Sequence, residues 1–229
     1  SNLMFAATDT DIYNASSSGA ATAQTVTITD GKCQYVNFGD GTNNWLIMVN
    51  GVDQPNYFDG TNWVSGGVDA LSTPALTGIA NTANLVHVTE HKGRLYFIEK
   101  NTLSFWYLPA QAAGGALIEF DLSSYASQGG YLMWASTWTF DGGDGPDDAI
   151  VFMTSEGEII VYRGTDPSTS ANWALVGVYY LGKPLGRRSY AKFGGDLIVV
   201  TDGGVFPLSS SLQSASVDNR VAFTNKIEK

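Results

Sequence analysis

Apolar residues in this chain come in runs of four to six, each bounded by Gly, Asn, Asp or Pro, and no stretch supports a long helix. Five places pair two such runs across a turn, which is the signature of a β-hairpin. In the first, Leu3-Met4-Phe5-Ala6-Ala7 meets Ile12-Tyr13 across residues 8–11. In the second, Trp45-Leu46-Ile47-Met48-Val49 meets Tyr57-Phe58 across a turn at Asn50-Gly51. The third joins Arg94-Leu95-Tyr96-Phe97-Ile98 to Leu103-Ser104-Phe105-Trp106 through Lys100-Asn101-Thr102. The fourth joins Ala149-Ile150-Val151-Phe152-Met153 to Ile159-Ile160-Val161-Tyr162 through Glu156-Gly157-Glu158. The fifth joins Leu197-Ile198-Val199-Val200 to Val205-Phe206 through Asp202-Gly203-Gly204. Residues tolerant of positive φ are expected at that last turn, so Gly203→Val is expected to harm folding.

Anchored on Leu3, Leu46, Leu95, Ile150 and Leu197, the hairpins recur at spacings of 43, 49, 55 and 47 residues. A period of this length, made of strands without helices, predicts an all-β chain folded as a β-propeller of five blades with about four antiparallel strands each. A further strand precedes the hairpin in four units (33–38, 85–91, 132–140, 189–193). Another follows it in four (24–29, 63–66, 117–122, 173–181). The first unit lacks its inner strand and the fifth lacks an outer one. A sheet left open at both ends exposes edges, so the two ends of the chain are expected to close the ring, with residues 220–224 supplying the missing inner strand of the first unit. Residues 209–219 read as a short helix or a loop. The competing architecture, a sandwich or barrel of eight to ten strands, requires no period. Leu95-Tyr96-Phe97-Ile98 and Ile150-Val151-Phe152-Met153 are apolar on both faces, which suits strands covered on both sides by neighbouring sheets.

Composition agrees. The 229 residues suffice for one large domain or two small ones, and are read as a single propeller over 1–229. Charged residues make up only 15%, while 11 Phe, 11 Tyr and 6 Trp favour strands. Twelve basic against 22 acidic side chains give a net charge of −10, which disfavours direct nucleic-acid binding. The one dense basic spot, Lys183 with Arg187 and Arg188, is a candidate interaction site. Cys33 is the only cysteine, so no intramolecular disulfide forms; beside Tyr35 it reads as a buried thiol. No apolar run is long enough for a transmembrane helix, and no signal-peptide pattern is present. The opening Ser1-Asn2-Leu3, without an initiator methionine, reads as an excised fragment of a longer chain, with Ser1 and Asn2 a tag scar.

Candidate chemistry is sparse. Asp141, Asp144, Asp147 and Asp148 fall within eight residues among glycines and could wrap Ca²⁺ through oxygen ligands, although the EF-hand spacing is missing and a solvated loop explains them too. Residues 38–44 occupy the same place in the second unit. His87 and His91, the only histidines, would lie about 13 Å apart on one strand face, too far to share a metal. They support no nucleophilic triad. Asp40, Glu90 and Asp141, near inner strands, are candidates for the paired carboxylates of a propeller glycosidase. Trp63, Trp106, Trp134, Trp138 and Trp173 could stack on sugars or bases, or fill the core. None of the Gly-Gly pairs is followed by Lys-Ser/Thr, so no phosphate loop is expected. No cofactor is implied, and no catalytic residue is assigned.

Four ordered phrases carry a resemblance. They are Asn50-Gly51-Val52-Asp53-Gln54-Pro55 with Tyr57-Phe58-Asp59-Gly60 and Trp63; Gly129-Gly130-Tyr131-Leu132 through Trp138-Thr139; Thr154-Ser155-Glu156-Gly157-Glu158 with Val161-Tyr162-Arg163-Gly164-Thr165-Asp166-Pro167; and Gly182 through Arg188 with Gly194-Gly195-Asp196-Leu197. Together they resemble, over roughly residues 33–227, a family of uncharacterised virion-associated β-propeller proteins of tailed bacteriophages and prophages. The resemblance implies a virion structural role near the head–tail junction or tail, without enzymatic activity. It implies assembly in the bacterial host cytoplasm, other virion proteins as partners, and homo-oligomers in the particle. The runner-up from the residues is a carbohydrate-binding or glycoside-hydrolysing propeller.

Overall fold

A computed structural model of the chain describes residues 3–65, 74–141 and 146–212. Five antiparallel sheets follow one another along it, each built from strands adjacent in sequence, so the all-β expectation holds. The first contains β1 (Phe5–Ala7), β2 (Asp11–Asn14) and β3 (Thr22–Thr27). The second contains β4 (Gln34–Gly39), β5 (Asn44–Val49), β6 (Asn56–Phe58) and β7 (Trp63–Ser65). After the two-residue β8 (Leu76–Thr77), the third contains β9 (Leu85–His91), β10 (Arg94–Glu99) and β11 (Ser104–Tyr107). Beyond the short β12 (Gly115–Ala116), it is completed by β13 (Ile118–Asp121). The fourth contains β14 (Leu132–Asp141), β15 (Pro146–Thr154), β16 (Glu158–Gly164) and β17 (Trp173–Tyr180). The fifth contains β18 (Tyr190–Phe193), β19 (Asp196–Thr201) and β20 (Gly204–Pro207), followed by the one-turn helix α1 (Leu208–Ser211).

The sheets coincide with the five units marked by the spacing, and the first has three strands, with β1 at its end. The segment 220–224 expected to extend it lies outside the described residues. Of the stretch 209–219, Ser209 to Ser211 are helical.

The described residues form two compact units. One runs to Lys100 and includes Trp106–Glu119; the other combines Asn101–Phe105 with the residues from Phe120 onward. In the first unit, Ile12, Ile28, Met48, Phe58 and Trp63 pack the first sheet on the second. A second core there joins Ile47, Val49 and Tyr57 to Leu85, Val88, Leu95 and Phe97. In the other unit, Phe105 and Phe120 stack with ring centroids 5.0 Å apart, and Phe105 lies 4.5 Å from Phe152 of the fourth sheet. Trp134, Val151 and Val161 of the fourth sheet pack with Leu197 and Val199 of the fifth. The two-sided apolar runs are covered on both faces: Leu95 to Ile98 and Ile150 to Met153 are all at most 1% exposed.

Two features depart from the pattern reading. The parallel pairing of β12 with β8 was not expected. It is possible because Gly114 has no side chain: a Cβ there would sit 2.6 Å from Pro74 Cβ and 2.9 Å from the Ala75 carbonyl oxygen. At the fifth hairpin, the glycine with positive φ is Gly204 (+130°) rather than Gly203. A Cβ on Gly203 would meet nothing closer than 3.6 Å, so the strain expected at that position is not built into the fold.

Candidate functional site

The acidic candidates are occupied by local structure. The Asp40 carboxylate accepts from the backbone N–H of Thr42 (2.8 Å) and Asn43 (2.6 Å) and from the Trp45 indole N–H (2.7 Å). The indole bond leads in pulling its pKa down to about 2. A carboxylate ionised to that pH cannot act as a general acid near neutrality, which removes Asp40 from that glycosidase role. Asp59 repeats the arrangement one hairpin later, accepting from Thr61 and Asn62 (2.7 and 2.6 Å). The common signal, Asp-Gly-Thr-Asn before a tryptophan at 40–43 and again at 59–62, is legible in the sequence as a turn motif. Glu90 accepts from the Gly93 N–H (2.6 Å) at the β9–β10 turn, where Lys92 and Gly93 have positive φ. The Asp141 side chain lies outside the described residues.

Asp53 takes on a related task between two sheets. It accepts from the Thr29 N–H and hydroxyl (2.6 and 2.7 Å) and from the Asn50 amide (2.7 Å). Burial alone would raise its pKa, but these bonds outweigh it and leave the group below the ordinary range. The Asn62 and Thr61 N–H bonds likewise hold Asp59 low. A carboxylate with a depressed folded-state pKa contributes stability that is present above its unfolded value and lost as pH falls through the folded one. The thermal midpoint is therefore expected to be flat from pH 7 to about 5 and to fall steadily between about pH 4 and 2. Asp40→Asn and Asp53→Asn should each flatten that fall, read by calorimetry across pH.

Of the four candidate Ca²⁺ ligands, Asp144 and the side chains of Asp141 and Asp147 lie outside the described residues, and the described Asp148 is half-buried. Among the described residues no three His, Cys, Asp or Glu converge on a metal-sized site. His87 and His91 are interior, at 1% and 0% exposure. Cys33 is a buried thiol. The tryptophans follow: Trp63, Trp134, Trp138 and Trp173 are buried, which takes them out of service as stacking platforms. Trp106 is half-buried and donates its indole N–H to Glu99 (3.0 Å).

The basic spot lies in the connection between β17 and β18, and its three cations stand in different surroundings. Lys183 is paired with Glu156 (2.7 Å), whose carboxylate holds the ammonium pKa above the ordinary lysine value. Arg187 is half-buried, and desolvation pushes its guanidinium below the ordinary arginine value. Arg188 is exposed. The connection itself is clamped at both sides. Leu181 N–H donates to the Gly157 carbonyl (2.9 Å), and the Asp202 N–H donates to the Lys183 carbonyl (2.8 Å). The Thr201 hydroxyl donates to the Leu181 carbonyl (3.0 Å). Leu185, at 68% exposure, is the most exposed apolar side chain on it.

Two carboxylates that the sequence reading passed over organise this unit. Glu158, 3% exposed, accepts from the Ser127 hydroxyl (2.6 Å) and from the N–H groups of Ser127 (3.1 Å) and Gln128 (3.0 Å). Asp196 accepts from the Trp138 indole (3.2 Å) and from the N–H and hydroxyl of Ser209 (3.0 and 2.6 Å), tying the fourth sheet, the fifth sheet and α1 together. No spacing rule marks either one, because each collects donors remote in sequence.

Two surface features remain as binding candidates. In the first unit an open groove of about 800 Å³ is lined by Phe5, Asn37, Asn44, Trp45, Leu46 and Phe58, among others. In the other unit, apolar side chains stand exposed along β17. No helix among the described residues is long and apolar enough to cross a membrane.

No protein-family model and no curated protein matches the chain. Among solved structures, one titled "YCF48 bound to D1 peptide" matches at 11% identity and a TM-score of 0.39, over 96% of this chain and 76% of that one. A superposition this loose defines neither the fold nor a ligand.

Proposed function

We propose that the five sheets are the blades of one β-propeller and that the protein is a structural assembly module of a tailed-phage or prophage virion, placed near the head–tail junction or in the tail. The observation that carries the first part is the run of five sequence-ordered antiparallel sheets, four consecutive pairs of which share apolar cores or ring stacks. The three-stranded first sheet supports closure by residues 220–224 against β1. Deleting residues 220–229 is then expected to lower the thermal midpoint by about 10 °C or more; an unchanged midpoint would overturn that closure.

The virion role is supported by the four ordered phrases, by the small fraction of charged residues, and by acidic side chains committed to turns rather than to a reaction centre. It places assembly in the bacterial host cytoplasm, with other virion proteins and further copies of the chain as partners. Mass spectrometry of purified particles with electron microscopy tests it; absence of the protein from particles overturns it. A carbohydrate-binding reading is favoured by one observation, the groove where the half-buried Phe5 ring stands beside the exposed amides of Asn37 and Asn44, since an aromatic face beside amides suits sugars. A glycan array together with chromogenic glycosides decides it, and silence in both removes it.

A further inference from the structure

The outer edge of the fourth sheet is unlike the other outer edges. β3 is the polar run Thr22-Ala23-Gln24-Thr25-Val26-Thr27, β7 ends in Ser65, and β13 carries Glu119 and Asp121. The acids of β13 and the three-residue length of β7 blunt those edges against strand addition, and β3 offers mostly polar side chains to an added strand. β17 reads Trp173-Ala174-Leu175-Val176-Gly177-Val178-Tyr179-Tyr180, with neither a charge nor a proline. It ends the sheet order, with β16 as its neighbour. Leu175, Val176, Val178 and Tyr180 are 40, 42, 37 and 51% exposed. Leu175, Val178 and Tyr180 oppose Tyr162, Ile160 and Glu158, which puts them on one face, and Val176 is the extra residue of a bulge between the Val161 and Tyr162 pairings.

We propose that β17 is a docking edge for one extended, apolar, non-acidic strand of a partner protein, added by main-chain pairing. Charge and area select that occupant over a second copy of this chain. Two copies each carrying −10 repel as they approach, whereas a strand without acidic residues does not. The four exposed side chains offer on the order of 300 Å² of apolar surface, and a symmetric pair would bury roughly half of the 1,200 Å² at which stable interfaces begin. The inference rests on the assembly reading only in expecting the partner to be a protein.

The test uses the full chain and a fluorescein-labelled seven-residue peptide of alternating threonine and valine with lysine at both ends, read by anisotropy. Binding is expected for the parent protein and for Thr25→Lys, which charges the exposed β3. It should weaken about tenfold or more in Val178→Lys, which should fold normally by circular dichroism because Val178 is exposed. Methylating alternate peptide amides should abolish binding, and replacing the terminal lysines by glutamates should weaken it. Equal affinity in Val178→Lys, absence of binding to the parent, or a sedimenting dimer that Val178→Lys dissolves would overturn the proposal. Absence from particles would sink the virion role and leave the peptide result standing, so the two failures are distinguishable.

Discussion

Replacing Gly157 with alanine is expected to cost about 3 kcal/mol, whereas Gly203→Ala should stay within about 0.5 kcal/mol of the parent. The two glycines sit in equivalent hairpin turns of the fourth and fifth sheets, so the contrast isolates what the turn must accommodate. Gly157 has φ +95°, a conformation costly to any residue with a Cβ. Its Cβ would also lie 2.6 Å from the carbonyl carbon and 2.7 Å from the carbonyl oxygen of Gly182. The turn cannot retreat, because the Gly157 carbonyl accepts the Leu181 N–H at 2.9 Å. Relieving the clash therefore means losing that bond or displacing the connection that holds Lys183, Arg187 and Arg188. Gly203 meets neither constraint. Urea denaturation measures both variants; comparable midpoints for the two would show that the close approach of the turn to residue 182 does not hold the fold.

Glu158→Ala is expected to destabilise by about 2 kcal/mol, because a buried carboxylate that accepts three hydrogen bonds is lost, while the exposed Ser127 and Gln128 recover part of the loss by bonding water. Two of the three donors are the backbone N–H groups of Ser127 and Gln128, so the carboxylate fixes the path of the main chain there. Glu158→Gln keeps the shape but places an amide NH₂ among donors, so it should recover less than half of the loss. Hydrogen exchange offers a sharper reading: the amides of residues 127 and 128 should lose protection in both variants, while those of β10 in the first unit keep theirs. Unchanged protection at 127 and 128 would mean that the buried carboxylate does not organise that loop.

The hairpins were legible because two local rules coincide at each of them. A run such as Ile150 to Met153 has no alternative to burial on both faces, and Glu156-Gly157 offers the backbone freedom that reverses it. The outer strands were legible by the same logic, including β17, whose expected span of 173–181 differs by one residue from the observed one. The fates of the candidate site residues were not legible. Asp40 looked like a free carboxylate near an inner strand, and its employment by Thr42, Asn43 and Trp45 shows only once the hairpin is formed. Lys183, Arg187 and Arg188 looked like one basic patch, yet one is neutralised by Glu156 and one is partly desolvated.

By itself the sequence determined the class, the five units and their strand order, since each follows from the period of apolar runs and the residues between them, which act over a few positions. Only the tertiary structure decided which carboxylates are spoken for and which glycines are irreplaceable. Glu158 and Asp196 gather donors 13 to 58 residues away, and Gly157 is constrained by a backbone 25 residues further on. Those are properties of through-space neighbours, which a one-dimensional pattern does not contain.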